Sequence, residues 1–91
     1  MGMTAARHAR DVVANAEVVV ALEALVAAQA LDLRGPLEPA EGTRAARDAI
    51  RAGVTFLDAD RELGQDIAAV TDLVRVGRLL EAAEAAVGAL D

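Results

Sequence analysis

The sequence contains no cysteine, lysine, serine, tyrosine or tryptophan, and Phe56 is its only aromatic residue. Without cysteine, neither a disulfide nor a thiolate metal site can form. The same absences remove most covalent nucleophiles and most general bases. His8 is the only histidine and stands between Arg7 and Arg10, which is typical of a surface residue, and one histidine cannot hold zinc without several converging carboxylates. The residues therefore predict no catalytic, cofactor-binding or metal site in this chain.

One acidic cluster deserves comparison with a calcium loop; its members are Asp58, Asp60, Glu62 and Asp66. In such a loop the sixth position needs glycine and the twelfth needs glutamate. Here these positions hold Leu63 and Ala69. We therefore interpret the cluster as a solvated bend, with Asp66 stabilising the N-terminus of a helix. No phosphate-binding glycine loop is present, because Gly35 and Gly64 are isolated.

The net charge and the polar residues in the first apolar run argue against several kinds of partner and location. The net charge is −6, and the nine basic residues, all arginine, are scattered among acids. This argues against a nucleic-acid partner and against binding to an anionic membrane surface. The first apolar run is interrupted by Asn15, Glu17 and Glu23, so it fits neither a signal peptide nor a transmembrane helix. A cytoplasmic location is compatible with all of this.

The 91 residues make one domain at most, and a domain of this size is marginally stable by itself. The apolar share is 55%, but much of it is alanine, which contributes little buried area per ordered residue. We therefore expect the segment to take part of its core from elsewhere.

An all-α fold is predicted, with one long helix over about 4–31 that Thr4 caps. Two apolar stripes run along it: Val12, Val13, Ala16, Val19, Val20, Ala24, Ala27, Ala28 and Leu31 form the first, and Val18, Leu22, Leu25 and Val26 form the second. A helix that is apolar nearly all round is a buried helix. Nothing else in this chain is large enough to surround it, so partners are expected. Glu17 and Glu23 are expected at an exposed edge or bonded to a polar group of a partner.

Several short helices should follow the long one. Gly35-Pro36 and Pro39 predict a non-helical connection over 35–42. Short helices are predicted over about 44–52, 66–76 and 78–89. We expect Thr43 to cap the first of these, and Gly53 and Gly77 to act as C-terminal stops.

Four stretches of the chain resemble, in order, the motifs of one known family. Residues 1–7, MGMTAAR, are similar to a Ser-Met-Gly-x-x-Ala-Ala-Arg run. Residues 12–34, VVANAEVVVALEALVAAQALDLR, resemble a long helix of the family, with Asn15, Glu23, Gln29 and Asp32-Leu33-Arg34 at matching places. Residues 56–67, FLDADRELGQDI, and the closing TDLVRVGRLL resemble two later motifs, although Gly64-Gln65 stands where the family has Ala-Pro. Over nearly its whole length the chain thus resembles the aromatic amino acid ammonia-lyase family, and histidine ammonia-lyases most of all.

The resemblance implies a C-terminal helical segment of a larger helical lyase fold. It also implies a cytoplasmic enzyme of histidine catabolism, a homotetramer built around long antiparallel helices with active sites shared between subunits. The family eliminates ammonia with a methylidene-imidazolone made from Ala-Ser-Gly, and that tripeptide does not occur here. The family's acidic motif Gln-Glu-Asp-His-Val-Ser would end just before Met1. No catalytic residue can therefore be carried over, and the isolated chain is expected to be inactive.

Three interpretations remain open at this level. The chain is either a fragment of a lyase chain or a true small subunit that pairs with a separate large chain. We favour the fragment, because Met1-Gly2-Met3 falls inside a family motif. The alternative from another class is a free-standing helical oligomerisation module without lyase function. The parent enzyme's substrate is not set by these residues, although the 56–67 stretch is closer to the histidine enzymes than to those acting on phenylalanine or tyrosine.

Overall fold

The computed structural model describes residues 2–90. They form four helices: α1 (Gly2–Leu33), α2 (Glu41–Arg51), α3 (Gly64–Arg75) and α4 (Arg78–Val87). No strand occurs within this part of the chain. The predicted all-α class, with one long helix followed by short ones, is confirmed.

Helix α1 is longer than the predicted 4–31. Thr4 lies inside it, so the prediction that Thr4 caps the helix is wrong. At the other end the backbone N–H of Arg34 donates to the carbonyl of Ala30 at 3.1 Å. Gly35 then adopts φ +71°, a left-handed conformation that glycine takes without steric cost. Gly35 thus ends the helix at the position where the sequence predicted the non-helical connection to begin.

Helix α2 begins earlier than the predicted residue 44, and the connection is correspondingly shorter than 35–42. Ala40 is the residue before the helix, and its carbonyl accepts from the N–H of Arg44 at 2.8 Å. Thr43 is therefore the third residue of the helix, and the prediction that it caps the N-terminus is wrong. The physical reason is that Pro39 leaves the chain extended, whereas Glu41 is already favourable in a first helical turn.

Helices α3 and α4 are separated by two residues, Val76 and Gly77, of which Gly77 is left-handed. Gly77 has φ +75°, and its N–H donates to Val74 at the end of α3, while its carbonyl accepts from Glu81 at the start of α4. The stop predicted at Gly77 is where the chain turns. Helix α3 begins two residues before the predicted 66, and α4 ends two residues before the predicted 89.

The core lies where α3 packs on α1 and α2 packs on α4. Its fully buried members are small or β-branched, namely Ala21, Ala28, Ile50, Val54 and Val70. Alanine on α1 allows the backbone of a neighbouring helix to approach closely, so the short helices cover the alanine face of α1. The two predicted stripes are each covered in part. In the first stripe Ala24 and Ala28 pack in the core, whereas the valines Val12, Val13, Val19 and Val20 are exposed. In the second stripe Leu25 packs against the core, whereas Leu22 and Val26 are exposed.

The first half of α1 projects beyond the rest of the molecule. All residues from 2 to 16, which we call the arm, are exposed, and the described residues span 55 × 36 × 17 Å. Their exposed apolar side chains include Met3, Val12 and Val13. No helix among the described residues is long and apolar enough to cross a membrane.

Candidate functional site

The segment between α2 and α3, residues 52–63, has no regular structure and is held to α1 by one amide side chain. Gln29 Nε2 donates to the carbonyl of Leu57 at 2.9 Å, and the N–H of Leu57 donates to Gln29 Oε1 at 3.1 Å. One side chain therefore satisfies both backbone groups of Leu57, as a neighbouring strand would. Partly buried backbone groups need such partners, so Gln29 fixes where this loop lies against α1.

Arg51, at the end of α2, connects the same loop to α1. Its Nε donates to Asp32 Oδ2 at 2.8 Å, and its Nη1 donates to the carbonyl of Val54 at 3.2 Å. Its guanidinium also lies 5.9 Å from the ring centroid of Phe56, within the range of a cation–π contact. Because both partners of the Arg51–Asp32 pair are mostly buried, the pair holds α2 and the loop in a defined position on α1.

Arg61 closes the loop on its other side. Its Nη2 donates to the carbonyl of Thr55 at 2.7 Å and to Asp66 Oδ2 at 3.0 Å. Its Nη1 donates to the carbonyl of Phe56 at 3.2 Å. Asp66 is in the first turn of α3, so Arg61 joins the start of the loop to the start of the next helix. The planar five-donor guanidinium suits this task, whereas lysine would not reach all three acceptors.

Between this loop and α1 lies an apolar groove with a volume of about 270 Å³. We call it the loop groove. Its apolar walls come from Leu22, Leu25, Val26, Ala30, Leu33, Leu57 and Leu63. The polar residues that line it are Gln29, Arg51, Thr55, Arg61 and Asp66. The charged and amide side chains among them are engaged in the contacts described above, and Thr55 contributes a single hydroxyl. The groove therefore offers mainly apolar surface, which suits a packing partner better than a reacting substrate.

The residues singled out from the sequence do not converge on a reactive centre. His8 is exposed on the arm, and Asp58, Asp60 and Glu62 are exposed on the loop. Within residues 2–90, no group of three or more histidine and acidic side chains is placed to hold a metal ion. Asp66 does lie in the first turn of α3, as the interpretation of the acidic cluster requires.

Glu17 and Glu23 behave differently from each other. Glu23 is exposed, whereas Glu17 Oε2 accepts from Arg75 Nε at 2.7 Å. The hydrogen bond and then the charge of Glu17 raise the pKa of Arg75 above its ordinary value. Glu17 thus pairs with the end of α3 within this chain. One of the two expectations, a bond to a partner chain, is wrong for this residue.

The electrophile of the resembling family does not fit these residues. Its precursor tripeptide is centred on serine, and the sequence has none. No chemical step through that group is therefore derived for this chain.

Comparison with known proteins places these features in a family. Residues 1–52 match the family model of aromatic amino acid lyases. Histidine ammonia-lyase of Gloeobacter violaceus is 53% identical over 91 residues, which is 100% of this chain and 18% of that protein. The enzymes of the same name from Symbiobacterium thermophilum and Myxococcus xanthus are 52% and 51% identical, over 100% and 94% of this chain and 18% and 17% of their own lengths. No solved structure matches the chain significantly.

The chain therefore belongs to the aromatic amino acid lyase family. Within that family its similarity is to histidine ammonia-lyases, as the motif resemblance indicated. It spans about a fifth of the length of these curated relatives.

The family-like residues turn out to be the ones that hold the loop. Gln29 and Asp32 lie in the stretch that resembles the family helix, and Arg61 and Asp66 lie in the stretch that resembles a later motif. Arg51 matches no motif, and sequence reasoning missed it. Its only signal was its position in the last turn of a predicted helix, which does not reveal the contact with Asp32.

Proposed function

We propose that this chain is the C-terminal helical packing segment of a histidine ammonia-lyase and supplies no catalytic residue. The complete enzyme would eliminate ammonia from histidine to give urocanate, in the cytoplasm and as part of histidine catabolism. The main support for the proposal is that the residues resembling family motifs make hydrogen bonds that hold the structure together. Gln29 bonds to the loop, Asp32 accepts from Arg51 of α2, and Arg61 bonds to the loop and to Asp66 of α3. These contacts leave none of the four side chains free to meet a substrate.

The partner that this function requires is the remainder of a lyase chain or a separate large subunit, within a homo-oligomer that is a tetramer in the family. Support comes from the exposed surface of α1. The arm is uncovered over residues 2–16, and a helical stretch of that length is marginal in water without tertiary contacts. Exposed patches of this kind mark protein–protein contacts.

The proposal is tested by complementation. The body would be the Gloeobacter violaceus enzyme with its matching 91-residue segment deleted. We expect this chain alone to form no urocanate above a blank, by ultraviolet absorbance, and the chain expressed with the body to restore urocanate formation. Urocanate made by the purified chain alone would overturn the proposal, and so would a body that neither binds the chain nor gains activity.

A matched pair of variants makes the test specific. Leu22→Glu with Val26→Glu places two charges in the loop groove and should abolish both binding to the body and activity. Val76→Glu places a charge on a more exposed valine at the end of α3, away from the groove, and should leave both unchanged. If the groove variant complements as well as the control, the groove is not the docking surface. If the chain is a monodisperse monomer that melts cooperatively and does not bind the body, the free-standing module is favoured.

A further inference from the structure

The four helices associate as two pairs that do not follow the order of the chain. Helix α3 packs mainly on α1, and α4 packs mainly on α2, whereas α1 and α2 contact each other much less. Three connections join one pair to the other, namely residues 34–40, residues 52–63 and the two residues Val76 and Gly77. Two of these connections contain a left-handed glycine, Gly35 or Gly77, and residues at the ends of helices commonly absorb the backbone rotation of hinge motions. The chain is thus built as two helix pairs on short connections.

Two open clefts lie along the boundary between the pairs. The first has a volume of about 120 Å³ and separates Ala24 and Leu31 of α1 from Ile50 of α2 and Leu79 of α4. The second has a volume of about 320 Å³ and lies between the end of α2 and α3. Well-packed protein interiors contain few spaces larger than a water molecule. The helix pairs therefore meet less tightly than a continuous core would.

Two buried side chains supply the apolar contact across this boundary. Ile50 and Val54 are 3% and 2% exposed, and they belong to the same core as Val70 of α3. The residues of α1 that are fully buried in this core, Ala21 and Ala28, contribute one methyl group each. Because apolar stabilisation scales with the area removed from water, the contribution of these two residues of α1 to the boundary is modest.

One carboxylate supplies most of the polar contact across the same boundary. Asp32, in the last turn of α1, accepts from Arg51 Nε at 2.8 Å and lies 3.6 Å from Arg47 Nη1. All three side chains are at most a quarter exposed, so water competes little for these charges. Within residues 2–90, a longer bond of 3.4 Å from Arg51 to Gln29 is the other direct side-chain contact between the two pairs. Removing the carboxylate would leave two partly buried guanidiniums without an acid on α1.

We propose that the α2–α4 pair swings away from the α1–α3 pair as one body, and that Asp32 is the latch that holds it closed. In the closed state Arg51 contacts the loop and lines the loop groove. In the open state Arg51 moves away with α2, and the groove loses that part of its wall. The latch thus determines whether the loop groove is formed. This device is additional to the packing role proposed above and does not depend on it.

Distances between two spin labels test the motion, because the chain has no cysteine and labelling sites can be introduced one by one. Glu23→Cys with Ala85→Cys reports across the boundary, from α1 to α4, and Glu23→Cys with Ala68→Cys reports within the α1–α3 pair. All three residues are exposed. Dilution of the labelled chain with excess unlabelled chain excludes distances between copies. Asp32→Asn should raise the share of longer distances across the boundary roughly fivefold or more, as the loss of a hydrogen bond to a charged group implies. It should leave the distance within the α1–α3 pair unchanged.

Asp72→Asn is the matched control for this substitution. Asp72 is an exposed acid on α3 whose ion pair, with Arg75 at 3.7 Å, lies within that helix, so its loss should change neither distance. Circular dichroism should show the same helix content for Asp32→Asn as for the unmodified chain, because each pair keeps its own packing. Arg47→Gln with Arg51→Gln should open the boundary from the other side and produce the same longer distances.

Two kinds of result would overturn the inference. In the first, the distance across the boundary stays unchanged in Asp32→Asn, or changes equally in Asp72→Asn, and Asp32 is then no latch. In the second, Asp32→Asn loses helix content and both distance distributions broaden together, which shows that the four helices form one cooperative unit. Neither measurement involves the lyase body, so a failure of the latch is distinguishable from a failure of the proposed function.

Discussion

Replacing Gln29 with alanine should release the loop between α2 and α3 from α1. The substitution removes two hydrogen bonds to Leu57, at 2.9 and 3.1 Å, and a longer one from Arg51 at 3.4 Å. A typical intramolecular hydrogen bond contributes about 0.5–1.5 kcal/mol net. Because Gln29 and Leu57 are only partly buried, water recovers some of this loss. We expect local destabilisation of about 1–2 kcal/mol, from the two good bonds in that range.

The assay is hydrogen exchange of the Leu57 amide, which donates to Gln29 in the native state. A loss of 1–2 kcal/mol corresponds to roughly a 5- to 30-fold faster exchange. Gln65→Ala is the matched control, because Gln65 is an exposed glutamine on the first turn of α3 and should leave the Leu57 amide unchanged. Unaltered exchange in Gln29→Ala would refute the argument that this side chain holds the loop.

Two further predictions concern backbone conformation and surface charge. Gly42→Ala should stabilise the chain by up to about 0.5–1 kcal/mol, the cost of glycine relative to alanine in the middle of a helix. Gly42 lies in the first turn of α2, and the added Cβ would make an ordinary contact with Val87 at 3.5 Å. Gly77→Ala should destabilise the chain by about 1–2 kcal/mol, because the φ of Gly77 is +75°. Urea unfolding that shifts in the same direction for both variants would contradict this. Glu17→Gln should lower the melting midpoint less than Gln29→Ala does, and high salt should remove the difference from the unmodified chain, because the pair with Arg75 is surface-exposed. Because the pKa of Arg75 is raised, the stability that its charge contributes is fully present below the ordinary arginine pKa and is lost only above it. Arg75 should therefore contribute no pH dependence near neutrality.

Helix content was largely predictable because it depends on neighbours in the sequence. The unbroken apolar pattern predicts α1, and Gly35 and Gly77 are the positions where a left-handed residue ends a helix. Capping was less predictable. Thr43 has the side chain of a cap, but α2 begins at Glu41. Pro39 fixes its own φ and restricts the residue before it. The extended Ala40 then lets the helix begin at Glu41, which outweighs the modest free energy that a threonine cap contributes.

The polar contacts were not predictable, because they join residues far apart in the chain. Arg75 reaches Glu17 across 58 positions, and Gln29 reaches Leu57 across 28. Periodicity places a residue on a side of its helix but carries no information about which element will cover that side. The motif resemblance marked Gln29 without indicating that its role is to bond the loop backbone.

The sequence by itself determined the helical class, the positions where helices end and the absence of the residues that the family's chemistry needs. These properties follow from local backbone preferences and from composition. Only the tertiary structure decided that the alanine face of α1 is the core face and that Val12, Val13, Val19 and Val20 are left exposed. The physical reason is distance. Ala21 and Ala28 let the short helices, including α3, approach the backbone of α1 closely, whereas valines would hold a neighbouring helix further away.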